Sequence, residues 1–129
     1  MELSTRVETF GQDDQSWLGS AHGTDHGRSV TLDHSLFTPA THYPQGTYKG
    51  GTPLAKVTAT GLYGPYDNAA TDGRETLVGF LLTSVRAGRA SDSRVIAALL
   101  EHGRVVRARL PIAIDDDGAA DVAGRITFA

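Results

Sequence analysis

The chain has 129 residues, no cysteine, 40% hydrophobic residues and a formal net charge of −3. That length predicts a single domain with a real core, with or without an arm, that needs no metal or disulfide to fold. Lack of cysteine excludes thiolate metal sites and cysteine nucleophiles, the acidic balance argues against direct nucleic-acid binding, and no apolar run approaches the roughly 18 residues of a membrane span.

Residues 1–35 carry six acids (Glu2, Glu8, Asp13, Asp14, Asp25, Asp33) against two bases, Arg6 and Arg28. Met1 to Gln15 are polar and acidic, so no secretory signal is expected. Residues 1–29 show no helical or strand period and are dense in Gly, Ser, Thr, Asp and Gln. This predicts a flexible, extended N-terminal arm ahead of a domain over residues 30–129. Trp17 and Leu18 interrupt the polar leader. An apolar pair is costly to leave in water, so it docks either on its own domain or on a partner.

Val30-Thr31-Leu32 begins a β-like texture, and 34–51 is irregular, punctuated by Pro39, Pro44, Gly46, Gly50 and Gly51. Residues 55–60 alternate small or apolar with polar side chains as a half-buried strand does, and Pro53 suits a first position that needs no ladder N–H. Residues 61–66 read as a turn-rich aromatic segment and Asp72-Gly73 as a turn. The apolar run 76–83 predicts a strand buried on both faces, with Gly79 marking a bulge or a close backbone approach.

Residues 91–103 are ambiguous. Ser91 and Asp92 offer helix caps, 95–100 is rich in Ala and Leu, and Gly103 stands past the end, so local rules favour a helix at 94–102. The same residues also suit one arm of a hairpin that turns at His102-Gly103 and returns through Val105 to Leu110. Pro111 closes that unit. Residues 115–118 read as a turn or helix start, 119–123 as one helical turn and 125–128 as a terminal strand. The fold expected is mainly β with some α (α+β): a compact, loop-rich β domain behind an extended arm.

Chemistry is not advertised. His22 and His26 are four apart and Asp25 and His34 lie near, but Gly23 and Gly27 oppose the helix that would converge them on a metal. Asp115-Asp116-Asp117-Gly118 lacks the alternating ligands of a calcium loop. No serine stands in a G-x-S-x-G elbow, and Gly46–Gly50 is followed by no Gly-Lys-Ser/Thr. No catalytic residue, metal or cofactor is expected, and the chain is read as not an enzyme. Six arginines between Arg86 and Arg109 form either the polar face of a hairpin or a patch for an acidic partner, such as the acidic arm of a neighbouring copy.

Three segments, in order over about 30–128, resemble the lambda-type bacteriophage head decoration family, especially members from phages of actinobacteria. They are Leu36-Phe37-Thr38 through His42-Tyr43-Pro44-Gln45-Gly46 to Lys49-Gly50-Gly51-Thr52-Pro53-Leu54-Ala55-Lys56-Val57; Asp72-Gly73-Arg74 with Val78-Gly79-Phe80-Leu81; and Glu101-His102-Gly103 with its arginine-rich return and Leu110-Pro111. The resemblance favours the hairpin at 94–110. It implies a homotrimer on local three-fold sites of the expanded head that binds the major capsid protein, made in the bacterial host cytoplasm and carried on the outer surface of the virion. It also implies an arm that orders on the shell. The apolar residues in or beside the arm, Trp17, Leu18, Val30 and Leu32, are the expected capsid contacts. One rival is a small carbohydrate- or peptide-binding β module that stacks ligands on Tyr43, Tyr48, Tyr63 and Tyr66. The other is a metal-dependent hydrolase using His22, His26 and His34.

Overall fold

A computed structural model describes residues 16–19, 27–90 and 92–129. Its strands are β1 (Arg28–Asp33), β2 (Thr47–Tyr48), β3 (Pro53–Lys56), β4 (Tyr63–Pro65), β5 (Gly79–Leu81), β6 (Val85–Arg86), β7 (Arg94–Leu100), β8 (Gly103–Val105) and β9 (Ile126–Phe128). Two short helices, α1 (Pro39–His42) and α2 (Asp116–Asp121), and 3-10 turns at His34–Leu36 and Arg107–Arg109 complete it.

Five strands close a barrel in the order β1-β4-β3-β5-β7, with β7 returning to β1 through an antiparallel register from Arg28↔Leu99 to Asp33↔Arg94. Only the β1–β4 contact is parallel within it. Strand side chains alternate between faces, so one set points inward. Val30, Leu32, Leu54, Tyr63, Leu81, Ala97 and Leu99 pack together there with Phe37 and Tyr48.

The outward set on β5 and β7 is apolar too. Phe80 and Leu100 are register partners, fully buried beneath Leu77, Val105, Ile114, Val122, Ile126 and Trp17. A second layer, built on the parallel pair β8–β9 and on α2, therefore covers this end of the barrel. Gly79 lets β5 approach β7, because a Cβ there would run into the Leu100 carbonyl.

Polar groups fasten the layer. The Arg125 guanidinium donates to the carbonyls of Val78 at 2.8 Å and Glu101 at 3.1 Å, and the Leu77 N–H donates to Asp121 Oδ2 at 2.9 Å. Asp115 caps α2 by accepting from the Gly118 N–H at 2.9 Å, and it also accepts from the Tyr66 hydroxyl at 2.7 Å. These two bonds, the tyrosine's foremost, hold the Asp115 carboxyl below its ordinary value of 3.8. Burial and the same carboxylate push the Tyr66 phenol up.

Residues 16–19 belong to this layer. The Val106 N–H donates to the Trp17 carbonyl at 2.6 Å, the Gly19 N–H to the Arg104 carbonyl at 2.7 Å, and Leu18 bridges Val105 antiparallel. The Trp17 ring is 1% exposed. It lies over Gly51, whose φ of +93° suits glycine and where a Cβ would stand 3.1 Å from two ring atoms. The Trp17–Leu18 pair thus docks on its own domain. The rest of the expected arm, residues 1–15 and 20–26, lies outside the described residues, and so does the proposed cap Ser91.

Several expectations about local structure are corrected. Residues 94–100 form a strand, not a helix, because alternate side chains must fill two cores at once. The expected hairpin does not form with the segment that follows: β1 and β5 occupy both edges of β7, so β8 leaves the barrel at Gly103 (φ +137°) and pairs with β9. Of the expected return, Val105 to Leu110, only Val105 lies in a strand, β8, and Arg107–Arg109 form a 3-10 turn. Residues 63–65, read as turn-rich, are the barrel strand between β1 and β3. The strand entered at Pro53 is present but ends at Lys56, so 57–60 of the expected 55–60 run are not strand; the helical turn near 116–121 and the last strand stand about where expected.

Trp17→Ala should destabilise the protein by about 3–5 kcal/mol in chemical denaturation. Trp17→Phe should cost much less, since the indole N–H finds no acceptor among the described residues. An unchanged midpoint for Trp17→Ala would remove Trp17 from the core. The Asp115 carboxyl ionises at lower pH folded than unfolded, so its stabilisation is complete above about 3.8 and fades as pH falls below it. Asp115→Asn keeps a capping acceptor but should flatten stability against pH in that acid range; an unaltered acid limb would refute the assignment.

Candidate functional site

The outer face of the β1–β7 pair is only half covered. In register, the outward residues are Ser29 opposite Ala98, Thr31 opposite Ile96 and Asp33 opposite Arg94. Ala98 packs partly against the second layer, next to Leu100. Beyond it the cover ends, and Ile96 stands 75% exposed, the one large hydrophobic side chain so placed among the described residues. An isoleucine in that position gains about 1.5–3 kcal/mol when another surface covers it.

One charged pair flanks this bare face. On it Arg94 Nη1 meets Asp33 Oδ1 at 3.4 Å; on the opposite parity, at the far end of the strand pair, Arg28 Nη2 meets Glu101 Oε1 at 3.5 Å. Arg28 also donates to the Tyr63 hydroxyl at 2.7 Å, which ties the strand end to the barrel. An exposed apolar side chain beside an ion pair on a two-stranded surface suits a protein partner.

The four residues expected to meet a capsid separate. Trp17, Val30 and Leu32 are buried, Trp17 in the outer layer and Val30 and Leu32 inside the barrel. Leu18 is half-buried at the edge of β8. Thr31, which lies between Val30 and Leu32, points to the bare face instead. Sequence reasoning missed Ile96 because it stands inside an apolar run; only its alternation against the barrel axis sets it apart.

A second feature lies at the ribbon formed by β2 and β6, where Thr47 pairs with Arg86 and Tyr48 with Val85. Between residues 43–47 and 86–89 is a cleft of about 330 Å³. Tyr43, which lines it, belongs to an aromatic cluster: His34 is bonded through Nδ1 to the Tyr48 hydroxyl and through Nε2 to that of Tyr43 at 3.4 Å, and the Phe37 and Tyr48 ring centroids are 4.5 Å apart. On α1, His42 Nδ1 accepts from the Thr38 N–H at 2.8 Å, and burial lowers its pKa so that the accepting, neutral ring is favoured.

The rival site residues do not assemble. Tyr48 and Tyr63 are buried and Tyr66 is held by Asp115, so of the four tyrosines only Tyr43 borders the cleft. His22 and His26 lie outside the described residues, and among those described no group of three or more His, Asp or Glu could hold a metal ion. No helix among them is long and apolar enough to cross a membrane.

The family model for bacteriophage lambda head decoration protein D matches residues 28–125, from the start of β1 through α2. No curated protein matches the chain.

The two faces of β7 predict opposite mutational costs. Ile96→Ser should change the stability of the isolated protomer by no more than about 0.5 kcal/mol. Leu99→Ala, three residues along the same strand, should cost about 2–5 kcal/mol in the same denaturation assay. Similar losses at both positions would mean that Ile96 is not on a free face.

Proposed function

The chain belongs to the bacteriophage lambda head decoration protein D family, and from that premise we propose that it is a non-enzymatic clamp on the phage capsid. It binds the expanded shell as a trimer at local three-fold sites and strengthens it against the pressure of packaged DNA. The family match over the whole barrel is the observation that carries this reading. The bare β1–β7 face supports it, since an exposed isoleucine beside the Arg94–Asp33 ion pair is what contact between copies would cover.

Three protomers joined through their bodies present three leaders to the shell at once. Tethering raises the effective concentration of the second and third contacts, so each can be weak while the whole is firm. Shell contact falls to Leu18, to the β8 edge beside it and to the leader before Ser16. Trp17, Val30 and Leu32 support those contacts from within the core. The partner is the major capsid protein, the site of synthesis the bacterial host cytoplasm and the destination the outer surface of the virion. No cofactor takes part.

Light scattering on the purified protein should give a mass near three times 13.7 kDa. The protein should also cosediment with expanded empty heads and raise the temperature at which they rupture. Ile96→Asp should weaken the trimer by roughly tenfold or more for every 1.4 kcal/mol of burial lost at an interface, while the monomer's own unfolding stays put. A monomer that neither binds heads nor protects them would overturn the clamp.

A further inference from the structure

We propose that the cleft between β2 and β6 is a carboxylate-binding site whose occupant is the chain's own acidic leader, residues 8–14. Arg86 and Arg89 stand on one wall of the cleft, and neither forms an ion pair with any described residue. The lining contains no acid to neutralise them. Gly46 leaves the opposite wall open, with no atom within 4 Å of where its Cβ would be. A guanidinium pair above an open cleft matches planar carboxylates, which arginine binds through two parallel hydrogen bonds.

Glu8, Asp13 and Asp14 supply carboxylates within a short span of sequence. The anchor at Trp17 brings them within reach. Its ring lies on Gly51, which is four residues from Thr47 on the cleft wall and so at most about 14 Å away along the chain. Asp13 is likewise four residues from Trp17, and Glu8, nine residues away, can extend about 30 Å. With one end pinned, the leader meets the cleft at high effective concentration, which offsets the weakness of exposed ion pairs. Docked there, it is held back until a partner surface competes for it. This inference does not depend on the capsid reading.

The chain has no cysteine, so a spin label at Gln12→Cys in the full-length protein is unambiguous. At low salt the label should broaden the amide signals of Gly46, Thr47, Ala87 and Gly88. The broadening should vanish in about 1 M salt, where screening acts within ~3 Å. It should vanish equally in Arg86→Glu/Arg89→Glu, whose exposed side chains leave the melting temperature unchanged. Absent broadening, or broadening that survives both treatments, would overturn the proposal. In a mixture of isotope-labelled chains without the spin label and spin-labelled chains without the isotope, the four signals should stay sharp. Broadening in that mixture would assign the cleft to another copy's leader and overturn the intramolecular site.

Discussion

The strand β5 and the end of β7 are buried on both faces, and the rest of the molecule is arranged to make that possible. Leu81 and Leu99 point into the barrel, while their neighbours Phe80 and Leu100 point out of it. Leaving either set in water would forfeit about 1.5–3 kcal/mol per side chain. The barrel cannot cover its own outer surface, so the chain supplies a second layer from its C-terminal residues and from the segment around Trp17. Gly79 permits the close strand approach, and Arg125 bonds the carbonyls of Val78 and Glu101 beside the two strands.

The same arrangement decides where function is located. The second layer covers the outer surface near Leu100 and stops short of Ile96, so the free apolar surface is the remainder of a face whose other half is core. In the clamp proposed above, that remainder would meet a second copy and the leader the shell. The Trp17 anchor also divides the leader in two: what precedes it is tethered at the outer layer rather than at the start of β1.

Local rules read correctly wherever one residue type had one physical reason to be present. Pro53 opens a strand because that position needs no ladder donor; Asp115 opens a helical turn because its carboxylate accepts the Gly118 N–H; Gly79 marks a close approach because no side chain fits. They failed where the reason was remote. Residues 94–100 carry good helix formers and a convincing stop, yet two layers of core claim alternate side chains, and burial outweighs a propensity of a few tenths of a kcal/mol per residue. Gly64 and Pro65 look like a turn, but the glycine is there because a Cβ would strike Leu36.

By itself, the sequence determined the absence of thiol chemistry, the mainly β class, the family resemblance, and the contrast between an acidic leader and a neutral body. Each of these depends on composition, or on short spans whose meaning does not change with context. Tertiary structure alone decided that Trp17, Val30 and Leu32 are core, that Ile96 is bare, that β7 has no free edge for a hairpin partner, and that Arg86 and Arg89 share a cleft. Those outcomes depend on which surfaces meet, and an apolar side chain reads the same along the chain whether a second layer covers it or stops one residue short.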